Sequence, residues 1–173
     1  MCIRPPLSLS LLLVLAAPAA FAQDHCLVGA WQPEGNAIAE WMQRRHPGMP
    51  MQIRHDSARL VFHADGRYDA DLRGQARAEG PAGIAARMQG QFGGSGHWST
   101  TGETLELRQG QDRSQAELEV TSRAGASSRG RMPTGQAQSQ LYSYRCEGDR
   151  FETRMTMPGT RDVVIQPYRR QQG

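Results

Sequence analysis

The sequence predicts a mainly β protein, an antiparallel meander that closes into a small barrel of eight or nine strands with one short N-terminal helix. Most of the chain after residue 22 alternates apolar and polar side chains at a period of two, which is typical of half-buried strands. Gly, Asp and Asn interrupt this alternation at short intervals, as expected for the turns of a meander. Helical periodicity is confined to short segments, so we expect a sheet to form the core.

The first 22 residues have the pattern of a secretory signal peptide. Arg4 is followed by an apolar run over residues 7–15, by small residues and by Ala20-Phe21-Ala22, the usual order in a cleavable leader. We expect cleavage between Ala22 and Gln23, which leaves a single domain over residues 23–173. The apolar run is shorter than the roughly 20 residues that a transmembrane helix needs. The predicted location is therefore periplasmic or secreted, without stable membrane insertion.

The cysteines predict one disulfide. Of the 3 cysteines, Cys2 lies in the leader, so Cys26 and Cys146 reach the export compartment, where an even pair is normally oxidised. The bridge would close a loop of about 120 residues, for which chain entropy gives a stabilisation of about 4 to 5 kcal/mol at most. A lipid anchor, the alternative, requires a cysteine at the cleavage point, and Cys26 lies beyond it.

The charge of the chain gives no reason to expect a nucleic-acid partner. All 20 basic residues are arginine, and removal of Arg4 with the leader leaves 19 of them against 17 acidic residues, a net charge of +2. An excess this small creates little long-range potential.

One helix is predicted, over residues 36–45. Asn36 can cap it, and Ile38, Trp41 and Met42 fall on one face at the spacing of an amphipathic helix. His46-Pro47-Gly48 ends it. We expect this helix to plug one end of the sheet structure.

The strands are predicted as hairpins separated by glycine-containing turns. The three hairpins span residues 59–72, 94–108 and 140–157, and further strands are expected over residues 27–31, 116–120 and 162–168. Two stretches fall outside the alternation, residues 74–94 and 124–138, where we expect long loops. A short helix over residues 81–88 is an alternative for part of the first stretch.

The segment Leu27-Val28-Gly29-Ala30-Trp31 resembles the opening strand of lipocalin-like proteins, whose hallmark is G-x-W. Gly29 and Trp31 carry the likeness, which extends loosely over most of the chain after the leader. The resemblance implies that Trp31 closes the floor of a barrel and that an arginine near the last strand packs across it. Arg161 and Arg169 are the candidates for that arginine.

The same resemblance implies a barrel mouth that can hold a small apolar molecule. Trp31, Trp41 and Tyr68 are then expected to border the ligand pocket. The alternative is a barrel filled by its own side chains, because a fold does not fix a function.

No pattern in the chain predicts catalysis, a metal or a cofactor. The five histidines show no metal-binding spacing, which leaves a surface pair such as His63 with Asp65 as the alternative. Residues 93–97 differ from a nucleophile elbow because His97 stands where glycine is required. Asp69 and Asp71 alternate with apolar residues and are expected to face water.

Two functions remain open on the sequence. The first is a periplasmic binding or accessory protein that holds a small apolar ligand in a hollow barrel. The second is a protein-interaction module, such as a periplasmic inhibitor or immunity protein, with a filled barrel and an ordered, protruding loop. Arg123, Arg129 and Arg131 are candidates to meet an anionic partner such as a lipid headgroup or a sugar acid, the alternative being that they are simply solvated.

Overall fold

A computed structural model describes residues 23–80, 83–131 and 139–172. These ranges contain one helix and ten strands, in the order β1 (Gly29–Pro33), α1 (Ala37–Arg45), β2 (Met51–Phe62), β3 (Arg67–Glu79), β4 (Ala85–Thr101), β5 (Thr104–Asp112), β6 (Gln115–Thr121), β7 (Ser127–Arg131), β8 (Ser139–Glu147), β9 (Arg150–Thr156) and β10 (Val163–Arg170). The predicted leader and Ala22 lie outside the described residues.

Eight of these strands close a barrel. Around the ring they follow the order β1-β2-β3-β4-β5-β8-β9-β10, and an antiparallel pairing of β10 with β1 completes it. The alternation of apolar and polar residues directs one face of each strand inward, as the sequence predicted. The predicted fold class is therefore confirmed, including the three hairpins and the closing strand.

The other two strands belong to a sheet that extends beyond the barrel. The C-terminal part of β4 pairs with β5, whereas its N-terminal part, from Ala85 to Gln91, pairs with β6, and β6 pairs with β7. The long strands β2, β3 and β4 thus leave the barrel together. With β6 and β7 they form a five-stranded unit of order β2-β3-β4-β6-β7, which we call the projecting sheet.

The projecting sheet overturns the predicted loop over residues 74–94. β3 and β4 pair continuously from Gly74 with Gly90 to Glu79 with Ala85, so neither a long loop nor a helix over 81–88 is present in the described part of this stretch. Gly74 and Gly90 are not turn residues. A Cβ at either would lie 2.5 Å from a backbone oxygen of the neighbouring strand, so these glycines permit close strand approach.

The second predicted loop, over residues 124–138, is wrong in part. β7 occupies residues 127–131 and pairs with β6. Residues 132–138 lie outside the described part of the chain. Every residue of β7 is exposed, which explains why the sequence shows no apolar alternation there.

The core fills the barrel around Trp31. The buried cluster comprises Leu27, Trp31, Phe62, Tyr68, Trp98, Leu105, Tyr144 and Phe151. Trp31 meets Phe151 edge-on at a centroid distance of 4.7 Å, and Phe62 meets Trp98 at 5.1 Å. Large aromatic side chains packed edge to face provide most of the apolar contact here. This part of the barrel is occupied by its own side chains.

The predicted helix forms, but it does not plug the barrel. Asn36 caps α1 by accepting a hydrogen bond from the Ala39 N–H at 3.0 Å. The helix lies against β10 and β2, and none of its residues, all of which are described, is fully buried. Polar contacts attach it instead: Trp41 Nε1 donates to Asp162 at 2.8 Å, and Arg45 pairs with the same carboxylate at 3.1 Å. Among the described residues no helix is long and apolar enough to cross a membrane.

Candidate functional site

The barrel floor is built on the G-x-W segment. Trp31 is completely buried, and its Nε1 donates a hydrogen bond to the Leu27 carbonyl at 2.7 Å. The guanidinium of Arg170 lies over the indole, 4.2 Å from the ring centroid, where the ring quadrupole attracts it. The same guanidinium donates to the carbonyls of Val28 and Cys26, each at 2.6 Å. Arg170 thus joins the last strand to the segment that enters β1.

Gly29 is required by this arrangement. Its φ of +134° lies in a region that side-chain-bearing residues rarely adopt, and a Cβ there would be 2.5 Å from Arg170 Nη1. A glycine leaves that space to the guanidinium and tolerates the backbone conformation. The two residues of the sequence motif, Gly29 and Trp31, therefore serve one feature, the docking of Arg170.

The prediction that Arg161 or Arg169 covers Trp31 is wrong. In the register of β1 and β10, Trp31 is the direct partner of Arg170. Side chains alternate between the two faces of a strand, so Arg169 points outward, where it pairs with Glu34 at 2.8 Å. The alternation of residues 164–170 in the sequence shows that Arg169 and Arg170 point to opposite faces of the strand. Only the register with β1 shows which of the two faces the interior.

The predicted disulfide between Cys26 and Cys146 is confirmed, and it fixes the segment before β1 to β8. Asp24 adds two further contacts, since its carboxylate accepts from the Tyr144 hydroxyl at 2.9 Å and its N–H donates to Thr100 at 3.1 Å. Burial, followed by the hydrogen bond to Asp24, raises the pKa of Tyr144 to about 12. The N-terminal segment is thereby held across the barrel floor.

Of the three residues predicted to border a ligand pocket, the structure brings two together. Trp31 and Tyr68 belong to the same buried cluster, whereas Trp41 lies on α1, outside that cluster. Tyr142 and Tyr168 also face the barrel interior. Burial, with a smaller effect of the neighbouring Tyr168 and Tyr68, raises the pKa of Tyr142 to about 12, so its phenol is neutral at physiological pH. Ligand binding by Trp31, Trp41 and Tyr68 stays a prediction.

His63 and the acidic residues near it form polar contacts on the protein surface. His63 Nε2 lies 3.0 Å from Asp69 Oδ2, and Arg113 approaches the same carboxylate at 3.5 Å. Asp65 pairs instead with Arg67 at 2.7 Å, and the hydrogen bond from the Arg67 backbone N–H holds the pKa of Asp65 below its usual value. Within the described residues, no group of three or more His, Cys, Asp or Glu side chains is placed to hold a metal ion.

A groove of about 920 Å³ lies outside the barrel, on the projecting sheet. Most of the described residues that line it have polar or charged side chains, and two glycines and an alanine complete the lining: Asp56, Arg73, Gly74, Gln75, Gln89, Gly90, Gln91, Ser114, Gln115, Ala116, Glu117 and Arg131. A smaller groove of about 280 Å³ shares Gln75, Gln89 and Glu117 with it and continues toward Arg77 and Arg87. We call the two together the polar groove.

Strand register places the polar groove's side chains in cross-strand rows. One row joins Gln75, Gln89, Glu117 and Arg131, and the next joins Arg77, Arg87, Glu119 and Arg129. Side chains in such rows have Cβ atoms about 4.5 to 5.5 Å apart, so each can contact the next. The rows combine guanidinium, amide and carboxylate groups on one continuous surface.

The sequence singled out Arg129 and Arg131 of this surface and missed Arg73, Arg77 and Arg87. The reason is that the predicted hairpin strand ended at residue 72 and a loop was expected over residues 74–94, so the projecting parts of β3 and β4 were not predicted as strands. A signal was present, because Arg73, Gln75 and Arg77 alternate with small residues at a period of two. Alanine and glycine are weak markers of a buried face, so the alternation did not predict a strand.

No protein-family model matches the chain, and comparisons with curated proteins and with solved structures find no match either. The fold and site nevertheless define a class: a closed, eight-stranded antiparallel barrel with a projecting sheet. Two features of the molecule bear on its function: the filled barrel around Trp31 and the polar groove outside it.

Proposed function

We propose that this protein is an exported, non-catalytic binding module of lipocalin-like architecture, in which the barrel is the scaffold and the polar groove is the recognition surface. The Cys26–Cys146 disulfide supports a location in an oxidising compartment. Gly29 and Trp31, with Arg170 packed over the indole, support the lipocalin-like assignment. Both the location and the family remain part of the proposal.

The observation that carries this proposal is the contrast between the two surfaces. Trp31 and Leu27 are 0% exposed and Phe62 is 1% exposed, so the barrel around the motif offers a ligand no space as it stands. The polar groove provides about 920 Å³ in its larger part, within the usual size range of binding sites. The filled barrel and the projecting sheet together favour a protein-interaction module over a carrier of an apolar molecule.

A small ligand in the barrel is the second candidate. It is favoured by the inward-facing side chains of Leu60, Leu107 and Tyr168, which pack on the buried cluster but are themselves only partly buried. An apolar molecule would have to bind on that side of the cluster, because the floor around Trp31 is closed.

The two candidates are separated by a binding footprint. Backbone amide shifts of the ¹⁵N-labelled, disulfide-bonded protein are followed during titration with soluble peptidoglycan fragments, with acidic and neutral oligosaccharides, and with a fatty acid. The proposal expects shifts along the polar groove, in β3, β4 and β6. Shifts produced by the fatty acid alone and confined to Leu60, Leu107 and Tyr168 would contradict it and favour the carrier.

A blocking variant tests the groove directly. Gln89→Trp places a bulky side chain at an outward position in the polar groove, whereas Ser143→Trp places one at an exposed position of β8, in the barrel wall. The proposal expects Gln89→Trp to abolish the footprint and Ser143→Trp to leave it intact. If both variants change the footprint equally, the polar groove is not the binding site.

A further inference from the structure

Two arginines face each other at the centre of the projecting sheet. Arg77 of β3 and Arg87 of β4 are direct cross-strand partners, and both are exposed at the smaller end of the polar groove. Like charges placed directly opposite each other destabilise a strand pair. Within the ranges that the structure describes, neither guanidinium forms an ion pair. Arg129, in the same row, differs because it pairs with Glu119 at 3.1 Å.

The neighbouring row supplies amides. Gln75 and Gln89 are direct partners, one pair along the strands from Arg77 and Arg87. A step of two residues in a strand covers about 6.6 Å, so the amide pair lies about that far from the arginine pair. A glutamine amide both donates and accepts hydrogen bonds, and a guanidinium only donates. On β3 and β4 the surface thus changes from a guanidinium pair to an amide pair over a short distance, and Glu119 and Glu117 of β6 lie beside the two pairs.

The floor of the groove restricts the kind of ligand. β3 is paired with β4 and β4 with β6 along the whole groove, so the backbone groups between them are used in the sheet. An extended peptide could add by main-chain hydrogen bonds only at the edges of the projecting sheet, on β2 or β7, and not along the groove floor. A ligand on the floor is held by side chains, which suits a molecule with an anionic group and several hydroxyls.

We infer that the Arg77–Arg87 pair is the anion subsite for an acidic saccharide. A carboxylate or phosphate of the sugar binds between the two guanidinium groups, which match such oxyanions with paired N–H donors. Hydroxyls of the adjacent sugar ring bind Gln75 and Gln89. This inference rests on the proposed function, because it assigns a ligand class to the same groove.

The acids beside the pair argue against a large, uniformly anionic partner. Glu117 and Glu119 of β6 lie next to Gln89 and Arg87 in the two rows. A bilayer surface or a nucleic acid would bring phosphates close to these carboxylates as well as to the arginines, and the phosphates and carboxylates would repel each other. A short saccharide with one anionic group reaches the arginine pair without that repulsion.

The test is a calorimetric titration of the disulfide-bonded protein at low salt. The probes are a uronic-acid oligosaccharide, a neutral oligosaccharide of the same length and an acidic peptide of equal charge. The expected result is binding of the acidic saccharide at least 10-fold tighter than that of the other two probes, and a weakening of roughly 10-fold or more in Arg77→Gln and in Arg87→Gln, as expected for loss of a charge-assisted contact. Arg145→Gln, an exposed arginine of β8, serves as the matched control and should bind as the wild type does.

Thermal melting gives a second readout. Because Arg77→Gln removes the like-charge contact with Arg87, this variant should melt roughly 1–3 °C above the wild type without ligand. Arg87→Gln should change the melting temperature less, because Arg87 also lies opposite Glu119 and the substitution removes that favourable neighbour as well. A fall in melting temperature in Arg77→Gln would show that Arg77 has a stabilising partner, which overturns the premise of a like-charge pair.

The outcomes separate the inference from the proposed function. Equal affinity for acidic and neutral saccharides, or no loss in the two arginine variants, overturns the anion subsite while leaving the groove as a binding surface. Tighter binding of the acidic peptide assigns the groove to a protein partner and likewise overturns the inference. A footprint outside β3, β4 and β6 for every probe overturns both.

Discussion

Replacement of Arg170 by alanine tests the role of the barrel floor. The substitution removes the guanidinium from the face of Trp31, 4.2 Å from its centroid, and with it two hydrogen bonds of 2.6 Å to the carbonyls of Val28 and Cys26. Those carbonyls then depend on water that enters the floor. We expect a large loss of stability from a residue that no sequence pattern marks as part of the core.

The size of the loss follows from these contacts. A hydrogen bond from a charged donor contributes about 1.5 to 3 kcal/mol, and a guanidinium over an indole about 0.5 to 2 kcal/mol. Arg170 is only partly buried, so the lower values apply. The expected decrease in the free energy of unfolding is about 3 to 4 kcal/mol, equivalent to a fall in melting temperature of roughly 6–16 °C for a domain of this size.

The assay is urea unfolding of the oxidised protein, followed by tryptophan fluorescence and analysed for the midpoint and the m-value. Arg169→Ala is the matched control, because Arg169 points outward and forms an exposed ion pair with Glu34, which is worth about 0 to 1 kcal/mol. Arg170→Lys should fall between the two, since one ammonium cannot bond both carbonyls and cover the ring. If Arg170→Ala and Arg169→Ala lose stability equally, the floor does not depend on this guanidinium.

Three further predictions concern the same end of the barrel. Cys26→Ala or Cys146→Ala should lower the free energy of unfolding by about 2 to 4 kcal/mol, somewhat less than loop entropy alone implies. Reduction of the disulfide in the wild type should lower it by the same amount. An unchanged urea midpoint would contradict the stabilising role of the disulfide. Because burial raises the pKa of Tyr144 from 10.0 to about 12, the unfolded chain loses this proton first, so the stabilisation that Tyr144 contributes should be constant below pH 10 and be lost as the pH rises toward 12. A pH titration of the urea midpoint should therefore show a shallower fall above pH 10 in Tyr144→Phe than in the wild type. Gly29→Ala should lower the free energy of unfolding by about 1 to 3 kcal/mol, because the backbone of residue 29 has a positive φ. In a double-mutant cycle with Arg170→Ala, part of this loss should disappear, because the guanidinium that the new Cβ would meet is gone. Strictly additive losses would refute the steric explanation.

The sequence predicted the features that depend on local chemistry. Asn36 and the apolar spacing after it marked α1, Asp65-Gly66 marked the turn between β2 and β3, and the cysteine count gave the disulfide. In each case a few neighbouring residues decide the outcome. These features were enough to predict an antiparallel barrel.

The projecting sheet and the polar groove depend on pairings that no local pattern records. β4 changes partner from β6 to β5 along its length. On β3 the inner face of this region consists of Gly74, Ala76 and Ala78, whose small side chains give a weak signal. The groove gathers residues as far apart along the chain as Asp56 and Arg131. Choosing Arg170 rather than Arg169 also required the register of β1 and β10.

The pairing of β1 with β10 determines when the barrel can close during folding. The hairpins β2–β3 and β3–β4 pair strands that are neighbours in sequence, so they can form early. Closure of the barrel, however, requires the first and last described strands, β1 and β10, to pair. Contacts of such high sequence separation form slowly. Until β10 arrives, one edge of β1 stays open with Trp31 uncovered, and an unpaired edge is a template for association with other chains. The interval before ring closure is therefore when the chain is most open to association with other chains.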